Sequence, residues 1–270
     1  MQVLVLDCSE EDKDRLIAEL WERGATGFIE HDRSPDRIVL EAFFREPFPA
    51  EAYAAWNARW EPVEEVNWVR LTMESFEPIP VGERFFIAPD WRDDPTLPGR
   101  LRLQIRPGLA LGTGYHPTTQ LCLEAMERRL VAGQAFLDVG TGSGILAQAA
   151  ALLGANRIIA CDIDPQAVEA AAENLARAAV AALLFHGSVD AVAAETADFV
   201  AANISPSAAV RLAGEIARVV RSGGLVVLSG FEPNRSEEVL SAAKSAGFEP
   251  LEDHARDGWA AILVRRTPSR

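Results

Sequence analysis

One turn narrows the folds open to this chain more than any other feature: Asp138-Val139-Gly140-Thr141-Gly142-Ser143-Gly144, set between an apolar run at 135–137 and a helix-like stretch over 145–153. A strand that passes through glycines into a helix N-terminus is the ligand-binding corner of a doubly wound α/β sheet. The pattern then repeats. Strands at Ala135–Val139, Arg157–Asp162, 181–186, 199–203, 225–230 and 258–265 alternate with helices at 145–153, 165–179, 207–220 and 235–246. Alternation of this kind predicts a parallel sheet with helices on both faces.

The glycine spacing speaks to the ligand. A dinucleotide fold wants G-x-G-x-x-G, whereas here the glycines fall as G-x-G-x-G and Ile145 holds the third position. Asp138 stands at the entrance, where a carboxylate would repel a phosphate and attract a cation. S-adenosylmethionine carries a sulfonium and an ammonium and no phosphate, so the turn points to that cofactor. Gly140 and Gly142 would let the backbone approach it closely, and the helix amides opening at Gly144 can serve its carboxylate.

In such a sheet, ligands sit at the carboxyl ends of the strands. Asp162 ends the second strand, 18 residues beyond Gly144. It either accepts both ribose hydroxyl protons or caps the next helix, a duty that Asp164-Pro165 already supplies. Gly187-Ser188-Val189-Asp190 either edges an adenine or is simple turn chemistry. Asn203 ends the fourth strand. Its side-chain carbonyl can accept a hydrogen bond from an amine and aim the nitrogen lone pair at a methyl group, which is catalysis by positioning; otherwise it caps the helix beginning near Ser205. Upstream, the segment from Leu111 to Thr119 is dense in glycine and hydroxyls and reads as a loop folding over the open cofactor edge, with Gly112 and Thr113 within it. Thr118 or Thr119 would cap the helix expected at 120–130. His116 lacks zinc partners and reads as structural, and no metal site is expected.

The first quarter of the chain is a different kind of object. A strand at 2–7, a helix capped by Ser9 and ending at Gly24, strands at 26–30 and 38–44 around the Ser34-Pro35-Asp36 turn, a helix at 49–60 and a last strand at 62–66 give the order of a ferredoxin-like α+β module. A connecting helix at 67–76 is broken by Pro78-Ile79-Pro80, and short strands follow at 84–87 and Leu101–Ile105. The expected division is therefore 1–66, a linker at 67–78, and 79–270. Residues 1–66 hold 16 acidic and 7 basic side chains, so this module supplies −9 of the net −14. That balance argues against nonspecific nucleic-acid binding, which requires phosphate neutralisation, and suits a basic partner or an ordinary acidic surface. No apolar run approaches the ~20 residues of a membrane span, and the acidic start is unlike a signal peptide. Cys8, Cys122 and Cys161 match no zinc spacing and read as buried thiols of a reducing cytoplasm.

The segments Arg106-Pro107-Gly108-Leu109-Ala110-Leu111-Gly112-Thr113-Gly114-Tyr115-His116-Pro117-Thr118-Thr119, Leu137 to Leu146, Asp162-Ile163-Asp164-Pro165-Gln166-Ala167, Ala202-Asn203-Ile204 and Ser222-Gly223-Gly224-Leu225 together resemble the ribosomal protein L11 methyltransferases, over nearly the full chain. The resemblance implies a Rossmann-like class I methyltransferase domain with a mostly parallel seven-stranded sheet. It also implies a cytoplasmic enzyme that trimethylates amines of L11 with S-adenosylmethionine, its N-terminal module gripping the substrate; a monomer is the separate expectation for its oligomeric state. Thr119, Gly140, Asp162 and Asn203 match the family's cofactor positions, and Asn203 would also lie at the acceptor amine. After Asn203-Ile204 the family continues with leucine and small residues, where this chain has Ser205-Pro206-Ser207. Another protein lysine or a small amine is the alternative acceptor.

Overall fold

The computed structural model describes residues 2–34, 37–62, 76–106 and 112–268. The chain divides into two compact units, Met1–Ser75 and Phe76–Arg270.

In the first unit, β1 (Gln2–Cys8), β2 (Gly27–Ser34), β3 (Arg37–Phe44) and β4 (Arg59–Pro62) form an antiparallel sheet in the order β2-β3-β1-β4, the ferredoxin-like arrangement. Period-2 alternation explains its buried face: Leu4, Leu6 and Cys8 meet Leu40, Ala42 and Phe44 beneath Leu16 and Leu20 of helix α1 (Glu10–Glu22). Ser9 caps α1, its Oγ accepting from the Asp12 amide at 3.2 Å.

The helix expected at 49–60 is not formed. A single 3-10 segment, Glu51–Trp56, stops at Asn57, whose φ of 51° is left-handed, and the chain then turns into β4. Tyr53, Trp56 and Trp60 have helical spacing, yet they belong to two elements. Trp60 packs edge-on to Phe44 and Phe48, at 5.5 and 5.2 Å, and its indole N–H donates to the Phe48 carbonyl at 2.8 Å. Aromatic packing overrode the helical pattern. Of the strand expected at 62–66, residues 63–66 lie outside the described residues. So do 67–75 of the expected linker helix and residues 35–36 of the expected turn, while 76–78 are not helical.

The second unit opens with a small sheet, β5 (Ile79–Val81), β6 (Phe85–Pro89) and β7 (Leu101–Ile105). Helix α2 (Pro117–Arg129) precedes the main alternation: β8 (Ala135–Val139), α3 (Ile145–Leu152), β9 (Arg157–Asp162), α4 (Pro165–Arg177), β10 (Leu183–His186), β11 (Ala197–Asn203), α5 (Pro206–Val219), β12 (Val220–Phe231), α6 (Ser236–Ser245), β13 (Phe248–Arg256) and β14 (Trp259–Arg266). The seven strands from β8 onward lie in the order β10-β9-β8-β11-β12-β14-β13. Neighbours from β10 to β12 are parallel, and β14 runs antiparallel to both β12 and β13. Apolar residues of α2 and α3 cover one face, and those of α5 and α6 the other. Because β9 follows β8 to one side while β11 lies on the other, the strand order reverses between β8 and β11. That switch point opens a crevice at the strands' carboxyl ends.

Strand β13 went unread in the sequence. It is an edge strand whose residues are mostly exposed or half-buried, with Pro250 at a register shift, so it carries no apolar alternation. Its place is set by pairing with β14.

Candidate active site

Both sides of the switch point deliver groups to one cavity of about 760 Å³. On the β8 side, the turn is held left-handed at Gly140, Gly142 and Gly144, with φ of 72°, 54° and 82°. The Gly140 and Thr141 amides donate to the Cys161 carbonyl at 2.9 and 3.0 Å, stitching the turn to the end of β9. Asp162 then braces it: one carboxylate oxygen accepts from the Gly142 amide at 2.9 Å and the other from the Asp164 amide at 3.0 Å. Asp164 itself caps α4, accepting from the Gln166 amide at 2.9 Å, so the capping alternative for Asp162 falls away.

Asp138 does not line this cavity, contrary to the expectation that it meets the cofactor. Its strand is central in the sheet and covered on both faces, so the side chain has no route to solvent and is fully buried. One carboxylate oxygen accepts from the Thr141 hydroxyl at 2.7 Å and the Ala147 amide at 3.1 Å; the other has no hydrogen-bond partner among the described residues. Burial pushes this carboxyl up to about 7, against the pull of the Thr141 and Ala147 donors. Asp138 holds the turn from beneath.

On the β11 side, the Asn203 amide nitrogen donates to the Thr119 hydroxyl at 3.2 Å. Thr119 is buried on α2, so the Asn203 amide is anchored at one end. Its carbonyl oxygen receives no donor among the described residues. Asn203 is not the helix cap. Ser205 caps α5 through its Oγ, 3.3 Å from the Ala208 amide, with Pro206 at the first helical position. Neither Thr118 nor Thr119 caps α2. His116 does, its Nδ1 accepting from the Thr118 amide, with the Thr118 hydroxyl at 2.7 Å.

Gly112, Thr113 and Thr119 line the cavity on its loop side; Gly140, Gly142, Asp162 and Asn203 line it along the strand ends. The Gly112 carbonyl accepts from the Ser143 hydroxyl, fastening the loop to the turn. Of the adenine candidates, Gly187 and Ser188 reach the cavity and Val189 and Asp190 do not. Sequence reasoning missed Ile163, Arg211 and Trp259, which also line it. Ile163 carried a readable signal, an apolar residue directly after a strand end, and it is 70% exposed. Trp259 carried none; its ring lies 4.6 Å from that of His116, edge to face.

All three cysteines are free and buried, and burial raises the Cys161 thiol to about 12. Among the described residues there is no grouping of three or more His, Cys, Asp or Glu that could hold a metal. No helix among them is long and apolar enough to cross a membrane.

The cavity suits a nucleoside with an amino-acid tail. Asp162 offers a carboxylate to hydroxyls, Ile163 an apolar surface to a base, and Gly140 and Gly142 a backbone edge free of side chains. Packing keeps it so at Gly140, where a Cβ would stand 2.5 Å from the Ile204 methyl. S-adenosylmethionine fits that set.

The chain matches the family model described as ribosomal protein L11 methyltransferase (PrmA) over residues 49–267. It is 43% identical to the ribosomal protein L11 methyltransferases of Burkholderia multivorans and Burkholderia ambifaria, across 98% of this chain and 98% of each of theirs. Among solved structures, the ribosomal protein L11 methylase of Lactobacillus delbrueckii subsp. bulgaricus superposes with a TM-score of 0.66 at 29% identity, covering 72% of this chain and 100% of that one.

Proposed function

The chain belongs to the ribosomal protein L11 methyltransferase family, and on that premise we propose that it methylates amino groups of ribosomal protein L11 with S-adenosylmethionine as donor. The observation that carries the reading is the pairing, across one cavity, of a braced glycine turn with an anchored asparagine amide whose carbonyl is free to accept. When bound, the cofactor supplies an electrophilic methyl group on a sulfonium. Asp162 would hold its ribose hydroxyls, the backbone at Gly140 and Gly142 its amino-acid end, and Gly112, Thr113 and Thr119 the side facing the loop.

Asn203, besides lining the cofactor's cavity, accepts a hydrogen bond from the acceptor amine so that the lone pair faces the methyl group. Thr119 fixes the amide so that this carbonyl is preorganised. A free lysine has a pKa near ~10.4, and the amine must be neutral to attack. The lining of the cavity, mostly apolar in area, disfavours the charged form. The proton therefore departs before transfer, and no side chain need act as a general base.

In this reading residues 1–66 are the substrate-recognition domain, 67–78 the linker and 79–270 the methyltransferase domain. The excess of acid in the first of these favours a basic partner. The acting species is a cytoplasmic monomer that contacts neither nucleic acid nor membrane; light scattering tests whether it is a monomer.

Incubation of the purified protein with L11 and S-adenosylmethionine, read by intact mass, tests the main claim. L11 should gain mass in whole methyl steps. An unchanged mass would sink it, and methylation of extract proteins or small amines instead would move the acceptor to the alternative class.

A further inference from the structure

Trp259 lines the cavity, yet orienting the amine and holding the cofactor make no use of it. Among the described residues, it is the one indole there, and no phenylalanine or tyrosine accompanies it. Its position is fixed through its strand and through its ring. It opens β14, whose Ala260 and Ala261 pair with Phe231 and Ser229 of β12, and Ser229 in turn pairs with Asn203. The Ser229 hydroxyl donates to the Ala260 carbonyl at 2.7 Å, tying down the start of the strand. The ring itself meets His116 at 4.6 Å, three residues before the Thr119 that anchors Asn203.

Sheet order gives direction to the cavity. Asp162 ends β9, the glycine turn ends β8, Asn203 ends β11 and Trp259 begins β14. The indole thus lies beyond Asn203, on the side away from the ribose carboxylate. Asn203 and Trp259 line the same cavity, with β12 between their strands.

Repeated methylation creates a need at that spot. In each transfer the amine nitrogen gains the methyl carbon, the carbon–sulfur bond breaks, and its electron pair stays on sulfur. The new ammonium must lose a proton to solvent before it can accept again. A primary amine offers Asn203 two hydrogens, and a monomethylamine one. A neutral dimethylamine offers none. Asn203 therefore cannot orient the last transfer, while the methylated nitrogen grows larger, more apolar and, once charged, weakly hydrated. An aromatic face suits such a cation.

We propose that Trp259 is a specificity-determining residue that positions the partly methylated amine and so sets how many methyl groups the acceptor receives. The inference rests on the protein acting as an amine methyltransferase. A cation–π contact changes an equilibrium by a factor of roughly 2 to 30, so the effect belongs to the later transfers.

The experiment follows L11 methylation by intact mass over time, with wild type, Trp259→Phe and Trp259→Leu. In the leucine variant the third transfer should slow relative to the first by roughly 5- to 30-fold, leaving mono- and dimethylated product. Phenylalanine should restore the wild-type distribution to within about 3-fold. Calorimetric affinity for S-adenosylmethionine should be the same in all three. An unaltered product distribution in the leucine variant overturns the inference, as does equal slowing of every transfer, which marks a structural role only. A second measurement needs no variant. With S-adenosylhomocysteine present, the wild-type protein should bind a trimethyllysine peptide at least about 3-fold tighter than its neutral tert-butyl isostere; equal affinities overturn the inference. If wild type leaves L11 unmodified, the parent reading falls, and this one with it. If wild type methylates and the variants match it, only the role of Trp259 falls.

Discussion

The two ends of the cavity are built on opposite principles. At the turn, the ligand-facing groups are largely backbone, contiguous in sequence, and braced by Asp162 from outside and Asp138 from beneath. At the other end they are side chains from three separate elements: His116 and Thr119 from the cap and first turn of α2, Asn203 from β11 and Trp259 from β14. A shape made by backbone tolerates little change but needs few particular side chains. One made by side chains can be retuned residue by residue. That is the expected division of labour when one end takes an invariant cofactor and the other must fit a particular acceptor.

Ile204 is where the two ends touch, and it gives the hardest test of the difference. A Cβ on Gly230, at φ 101°, would stand 2.3 Å from the Ile204 carbonyl oxygen, whereas the close clash of one on Gly140 would be with the Ile204 side chain, at 2.5 Å. Backbone cannot retreat and a side chain can. Gly230→Ala should therefore cost about 3 kcal/mol or more in urea unfolding, and Gly140→Ala about half as much. Equal costs would mean that the strand end yields as readily as a side chain.

Asn203→Ala comes next. Methyl transfer should fall about 100-fold, with S-adenosylmethionine affinity held within about 5-fold by calorimetry. A turnover near normal would remove Asn203 from the acceptor, and a matching collapse of cofactor affinity would erase the distinction between the ends.

The turn is probed by pH. Burial raises the Asp138 carboxyl from 3.8 to about 7 in the folded protein. The folded state thus keeps a proton that the unfolded chain has released. The associated stability is complete below about pH 4 and is lost as pH rises towards about 7, with a slope of at most ~1.4 kcal/mol per pH unit. Asp138→Asn should flatten denaturant-unfolding curves compared across that window. An unchanged slope would show that Asp138 is not the group responsible.

The smallest expected effect is at Thr119→Val, which keeps the shape and removes the anchor of the Asn203 amide. About 10-fold lower turnover, with stability within about 1 kcal/mol of wild type, would separate positioning from folding. Loss of stability without loss of turnover would reverse that assignment.

Legibility in the sequence follows the same division. The strands Ala135–Val139 and Arg157–Asp162 were readable to the residue because buried parallel strands are dense in apolar side chains and end at glycine or acid. The helix expected at 49–60 failed because Trp60 shares helical spacing with Tyr53 and Trp56 but packs from a strand. Strand β13 was invisible because an exposed edge strand needs no pattern of its own.

By itself the sequence determined the glycine turn, the carboxylate that ends the second strand and the sheet that presents them. Those features are local, and glycine conformation and strand burial leave direct marks on the chain. Only the tertiary structure turned Asp138 inward, since its direction depends on what covers both faces of β8. Only the tertiary structure brought His116, Thr119, Asn203 and Trp259 to one wall, because contacts between residues so far apart in the chain arise from strand order and helix packing, which no local pattern encodes.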